Sequence, residues 1–333
     1  MKLIKYSYVF FLSTFFCLIE PYSIVFVHIG KEIPSYLCEA ASQARLFNEN
    51  ARIYLLANES AIEDSVEIKL QKEQVIIINL ECLTRTKEHA TFLKNNRLNS
   101  SFRQGFWLYT SERFLYLYDF VKEYQISDII HLESDNMIYV DFNELMSTFS
   151  GYYPGMAATL DNDKRCIPGL VYFSNQEILK ELAQFFAENA TTMKNDMNIL
   201  ALFFHKKTRT KSFYTMPIIM PEYVETYGLK SAFGEMTNVP QDYYNHIDEF
   251  NSIFDAASLG QYLGGIDPRN GMSKPGFINE SCLFNPSLLN FEWKKDLEGR
   301  NIPYAVFNNK YYRINNLHVH SKKLEMFSSK LSR

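Results

Sequence analysis

The chain is poor in the residues that build small stapled or metal-clipped frameworks. Its 333 residues include five cysteines, Cys17, Cys38, Cys82, Cys166 and Cys282. No Cys-x-x-Cys pair occurs among them, which disfavours a closed zinc site, and a chain this long does not need disulfide staples. Glycine (13) and proline (11) are sparse, which removes collagen-like and linker-rich readings. There is no basic excess either: Lys plus Arg is 34, Asp plus Glu is 38, and the formal net charge is −4. A duplex-DNA binder needs a basic face to release counterions, so no nucleic-acid partner is expected. A nucleotide remains possible, because a few local charges hold one. No Gly-x-Gly-x-x-Gly follows the first apolar run, no Walker A loop occurs, and no Gly-x-Ser-x-Gly elbow occurs. Dehydrogenase, ATPase and serine-hydrolase readings are therefore disfavoured. There is no internal repeat.

What is present suits a large globular domain. The chain is 47% hydrophobic and 22% charged, enough to bury a full core. It is also 15% aromatic; most of these rings belong in the core, and some could stack on sugars or bases. The length fits two small domains or one large one. No composition break marks a linker, so one domain over 23–325 with a C-terminal elaboration is expected, followed by a tail at 326–333. Residues 1–20 differ. Lys2 and Lys5 precede an uncharged run from Tyr6 to Ile19, the pattern of a secretory signal or signal-anchor, which would give a secreted protein or one associated with a membrane through 6–19. The run is short for a spanning helix, and the alternative is a buried first element of a cytoplasmic domain. Four Asn-x-Ser/Thr sequons, at Asn58, Asn99, Asn189 and Asn279, decide nothing.

Four short apolar runs read as buried strands: Ile24–Ile29, Arg52–Leu56, Val75–Asn79 and Asp128–Leu132. Helical spacing separates them at 34–50, 60–73 and 103–124, the last carrying Phe106, Tyr109, Phe114, Leu117 and Val121. Strands alternating with helices predict an α/β fold with a mostly parallel central sheet and ligands beyond the carboxyl ends of its strands. In the second half, Gly169–Ser174 reads as a strand, and 176–187 and 196–204 as helices, the latter capped by Asn195 or Asp196. The basic segment His205–Lys211 reads as a solvated loop, 264–280 as loop, and Tyr311–His320 as a final strand. A helix starting at Asp255, followed by a loop that closes on a ligand, competes with a helix simply ending at Gly264.

The fourth strand runs into Glu133-Ser134-Asp135. Two acids spaced i, i+2 share a face on extended backbone. They repel unless a cation lies between them, and a hard ion such as Mg²⁺ or Mn²⁺ takes such oxygens while leaving positions for phosphate. Near the C-terminus, His318-Val319-His320-Ser321-Lys322-Lys323 holds two histidines at the same spacing and two lysines. An imidazole completes a mixed nitrogen and oxygen shell, and an ammonium neutralises a diphosphate.

From Ile24 to Lys323 these residues, in this order, resemble the GT-A glycosyltransferases. Glu133-Ser134-Asp135 looks like a variant of that group's Asp-x-Asp motif, with Glu in the first position. The resemblance implies a single Rossmann-like domain and a metal ion, Mn²⁺ or Mg²⁺, held by Asp135 and by His318 or His320, with His320 slightly preferred. Lys322 and Lys323 would contact the diphosphate. His28 and Gly30 would meet the nucleotide where the first strand ends, and Glu133 would lie near the ion or the nucleotide. Asp196 and Asp255 are the candidates for a catalytic base. The implied reaction moves a sugar from a nucleotide diphosphate sugar to a hydroxyl of a glycan or protein acceptor.

Competing readings remain. A sugar-phosphate nucleotidyltransferase would share the sheet and metal, but it carries a Gly-rich basic loop after the first strand, of which Gly30-Lys31-Glu32-Ile33-Pro34 is a poor version. A non-catalytic carbohydrate-binding protein would fit the aromatics without needing the acids and histidines to converge. A metal-dependent hydrolase would need more ligands than the chain assembles.

Overall fold

A computed structural model describes residues 22–99, 101–207, 211–230, 240–271 and 274–330. The lysine-flanked run at 6–19, expected as a signal or anchor, lies outside them. Among the described residues no helix is long and apolar enough to cross a membrane.

The strands in chain order are β1 (Ser23–His28), β2 (Arg52–Ala57), β3 (Val75–Asn79), β4 (Ile129–Leu132), β5 (Asn136–Ile138), β6 (Met156–Asn162), β7 (Arg165–Phe173), β8 (Phe213–Thr215), β9 (Ser252–Ile253), β10 (Asn290–Lys295), β11 (Asn301–Phe307), β12 (Lys310–Ile314) and β13 (Asn316–His318). The helices are α1 (Ser35–Phe47), α2 (Asp64–Lys72), α3 (Lys87–Asn95), α4 (Phe106–Tyr124), α5 (Asn143–Tyr152), α6 (Gln176–Asn189), α7 (Asp196–Lys207), α8 (Pro221–Tyr227), α9 (Ile247–Phe250) and α10 (Ser258–Gly264).

A seven-stranded sheet in the order β3-β2-β1-β4-β7-β6-β8 forms the centre. β1 pairs in parallel with β2 and β4, and β2 with β3. β7 pairs antiparallel with both β4 and β6, so it alone runs against the others. The fold is thus the α/β arrangement with a mostly parallel central sheet that the alternating pattern predicts, and the four apolar runs are neighbours in it. Their burial explains this: Ile24, Val25 and Phe26, Ile53 and Leu55, and Ile129, Ile130 and Leu132 are covered on both faces, as parallel strands require.

The C-terminal elaboration is a second, four-stranded sheet, β10-β11-β12-β9. The expected final strand is divided: β12 joins this sheet, and β13 leaves it to pair antiparallel with β5. Residues expected as a tail from 326 contribute buried Phe327 and Ser329, and Ser329 exchanges hydrogen bonds with Gln43 of α1. The basic stretch expected as a loop from His205 is helical through Lys207. The His205 ring meets the Asp163 carbonyl at 2.8 Å, and Lys207 pairs with Glu181 at 2.5 Å, so neighbours on both sides extend α7.

Candidate active site

β4 ends at Leu132, and the chain does not continue extended through the acids. Asn136 N–H donates to the Glu133 carbonyl at 3.1 Å, closing a tight turn. The two carboxylates are therefore brought together by a turn rather than by the alternation of a strand. That turn is anchored on one side by Glu133 N–H to Gly169 O (2.9 Å), and on the other by Val319 N–H to Asp135 O (2.8 Å). The second bond belongs to the β5–β13 ribbon, in which His318 is the register partner of Asn136.

This pairing delivers the imidazole. His318 Nε2 lies 3.0 Å from Glu133 Oε2 and 3.2 Å from Asp135 Oδ1. One ligand atom from each of Glu133, Asp135 and His318 lies within 4.8 Å of the others. On the far side of the ring, Nδ1 is 3.2 Å from the Ala256 carbonyl. A carbonyl accepts only, so Nδ1 carries the hydrogen and Nε2 turns its lone pair toward two carboxylates. Three acceptors facing one another need a proton or a cation between them. Burial works against an imidazolium, yet Asp135 and Glu133 raise the His318 pKa well above its ordinary value. The field that would hold that proton suits a divalent ion equally, so the donor set fits Mn²⁺ or Mg²⁺. His320, slightly preferred from the sequence, has its ring against His318 with centroids 4.3 Å apart and reaches the Gln261 amide at 3.3 Å.

Lys322 adopts φ 62° in the turn after β13, and its ammonium pairs with Asp135 Oδ2. Burial opposes ionisation of Asp135, but Lys322 and then His318 hold its carboxyl well below the usual range. Lys323 is exposed and absent from the cleft wall, so of the two lysines only Lys322 faces the site.

Arg113, on α4, was not singled out by sequence, and it organises the acids. Its Nη1 pairs with Glu133, and its Nη2 lies 2.7 Å from Asp196 Oδ2 at the start of α7. It sits four residues after Tyr109 and four before Leu117, on the apolar stripe of the helix. An arginine interrupting that stripe was the available signal. Asp196 is buried and lines the cleft, and its Oδ1 has no hydrogen-bond partner among the described residues. Burial raises its pKa even against Arg113. Asn195, not Asp196, caps α7: its Oδ1 accepts from Asn198 N–H at 2.9 Å.

Asp255, the other expected base, is not in the cleft. Its Oδ1 accepts from Leu259 N–H (2.9 Å), and its Oδ2 from Gly260 N–H (2.8 Å) and His318 N–H (3.0 Å). Burial pushes its pKa up to about 6 despite these donors. Both oxygens are used in seating α10 and the His318 backbone. Gly260 and Gly169 leave room for that backbone and ring: a Cβ on Gly169 would lie 2.6 Å from Asn136 Nδ2 and 2.9 Å from His318 Nδ1.

The cleft over these groups has a volume of about 1060 Å³. His28 and Gly30 line it at the end of β1, and the Gly30 N–H is fixed by Asn58 Oδ1 at 2.9 Å. Tyr36 lies beside Lys322, whose Nζ is 5.6 Å from the ring centroid. Asp267 and Arg269, also in the cleft lining, form an ion pair at 2.6 Å, and Arg103 contacts Asn270. The described cysteines Cys38, Cys82, Cys166 and Cys282 are free.

No family model and no curated protein matches the chain. Solved structures similar to it include mouse xyloside xylosyltransferase 1 in its apo form, at 12% identity over 62% of this chain and 90% of that one, with a TM-score of 0.43. A galactosyltransferase, LgtC, in complex with donor and acceptor sugar analogues is similar at 15% identity over 61% of this chain and 77% of that one, with a TM-score of 0.37. A cytidylyltransferase from Leptospira borgpetersenii is similar at 11% identity, over 59% of this chain and 76% of that one, with a TM-score of 0.37.

Proposed function

We propose that the protein is a metal-dependent glycosyltransferase that moves a sugar from a nucleotide diphosphate sugar to a hydroxyl of a glycan or protein acceptor. The observation that carries this reading is the meeting of Glu133, Asp135 and His318 Nε2 at the carboxyl edge of the parallel strands. Ligands of such sheets bind beyond that edge.

Glu133, Asp135 and His318 would hold the ion, and a divalent cation there supplies Lewis-acid stabilisation of the departing diphosphate. The remaining work belongs to the chain. Lys322 sits where a diphosphate oxygen can take its ammonium in exchange for Asp135. Burial opposes ionisation of Glu133, but Arg113 and His318 keep its carboxyl well below the usual range, so it stays an anion at neutral pH. The Asp255 hydrogen bond to His318 N–H and the Ala256 carbonyl fix the ring and its tautomer. Asp196 Oδ1, buried and unpartnered beside Arg113, accepts a hydroxyl of the donor sugar. Tyr36, His28 and Gly30 offer the wall for the nucleoside. The loop between β1 and α1 contains one glycine, Gly30, which favours glycosyl transfer over nucleotidyl transfer. We read residues 6–19 as a secretory signal or membrane anchor; deleting 2–20 should leave a folded protein.

The direct test is hydrolysis of uridine and guanosine diphosphate sugars with and without Mn²⁺. Metal-dependent release of the sugar supports the reading. No hydrolysis of any of them, or an Asp135→Ala protein that turns over at the wild-type rate, overturns it.

A further inference from the structure

The acceptor is open in the reading above, and the outer wall of the cleft bears on it. One face of α4 forms that wall. Arg113 lies deep among the acids, and Phe106 lies seven residues toward the mouth, about 10 Å along the helix axis. At the mouth three rings form a single shelf. Phe102 stacks on Trp107 with centroids 5.7 Å apart and planes within 6°, and Phe106 meets Trp107 edge-on at 4.9 Å. Phe102 and Phe106 are 38% and 37% exposed. Adjoining the shelf are planar polar groups: Asp267, held by Arg269, and Asn270, both in contact with Arg103, the residue after Phe102.

A ligand lying on the rings and reaching these groups needs an apolar face and an edge rich in hydroxyls. A pyranose has both: axial C–H groups cover an aromatic ring, while equatorial hydroxyls reach carboxylate, amide and guanidinium partners. An extended peptide offers a hydroxyl but no flat apolar face of ring size. A nucleobase would also stack, but the nucleoside has its own wall on the β1 side, where Tyr36 adjoins Lys322.

We propose that Phe102, Phe106 and Trp107 form an acceptor subsite for a saccharide, with Asp267 and Asn270 binding its hydroxyls. The span from the shelf to Arg113 accommodates about two sugar rings, one for the donor sugar at Asp196 and one for a sugar of the acceptor on the shelf, so the acceptor is a saccharide rather than a lone serine or threonine. This rests on the glycosyltransferase reading only for the direction of transfer; the binding itself stands apart from it.

The test uses the full chain with uridine diphosphate and Mn²⁺, an array of di- to tetrasaccharides, and a set of Ser/Thr-containing peptides. Saccharide binding is then followed by calorimetry in Phe102→Ala and Phe102→Tyr proteins. The expected result is that an array saccharide binds, that Phe102→Ala weakens it by about tenfold, and that Phe102→Tyr restores it. No saccharide bound, peptides bound instead, or affinity unchanged in Phe102→Ala would each overturn the subsite. Donor hydrolysis measured on the same preparations separates the two ideas. Hydrolysis without saccharide binding removes the subsite and leaves the enzyme, whereas saccharide binding without hydrolysis of any donor leaves the subsite and removes the enzyme.

Discussion

His318 is paired in register with Asn136, the residue that follows Asp135, so a two-stranded ribbon carries the imidazole to the acids. Asn316 reinforces the pairing by donating to Asn136 Oδ1 at 3.0 Å and to the Asp255 carbonyl at 3.1 Å. The candidate metal site therefore depends on two three-residue strands, β5 and β13, rather than on the large sheet.

Substitutions at the ribbon should separate ligand from neighbour. Asp135→Ala and His318→Ala should each reduce Mn²⁺-dependent turnover by about a hundredfold or more. They should also abolish the rise in melting temperature that Mn²⁺ gives the wild type. His320→Ala should keep that rise. Equal loss of it in both histidine variants would show that His320 is a ligand too.

Arg113 compensates two buried acids, so removing its charge should be costly. Arg113→Met should destabilise the fold by about 3 kcal/mol in urea denaturation, because Glu133 and Asp196 lose their shared partner. Arg113→Lys should lose less, although one ammonium cannot serve both acids in the fork geometry of a guanidinium. A stability unchanged in Arg113→Met would contradict this account.

Gly260 is pressed against the His318 carbonyl, with no room for a Cβ. Gly260→Ala should cost about 1–3 kcal/mol by overpacking and should weaken Mn²⁺ binding by displacing the ribbon. Gly151, in α5, is the control, since nothing lies within 4 Å of a Cβ there. Gly151→Ala should leave stability equal or slightly higher.

Away from the cleft, His89 of α3 is clamped between Asp119 Oδ2 at 2.5 Å and Glu112 Oε1 at 3.1 Å, both on α4. Burial alone would lower its pKa, but the two carboxylates raise it above 6.5. A raised folded-state pKa stabilises fully below the unfolded value and loses that contribution as pH rises through the folded one. Melting temperature should therefore fall as pH rises above about 6.5 more steeply in the wild type than in His89→Gln. Parallel profiles would show that His89 does not carry the effect.

The sequence by itself determined the layout of β1 to β4 and the helices between them. Those elements are encoded by near neighbours: Ile24-Val25-Phe26 and Ile129-Ile130 are apolar on both faces, and such runs have no stable place except inside a covered parallel sheet. It also drew attention to the acids of 133–135 and the histidines of 318–320, because charged and imidazole groups at the ends of apolar runs stand out. Only the tertiary structure decided their placement. The choice between His318 and His320 turns on where β13 ends against β5, and the choice between Lys322 and Lys323 on one left-handed φ. Asp255 looked like Asp196 in sequence, yet backbone N–H groups from α10 and β13 consume both of its oxygens. Arg113 was masked because a helical stripe read residue by residue does not reveal that two acids from other elements wait beside it. Periodicity depends on residues a few positions apart. Convergence depends on pairings between segments far apart in the chain, and those exist only once the sheet has formed.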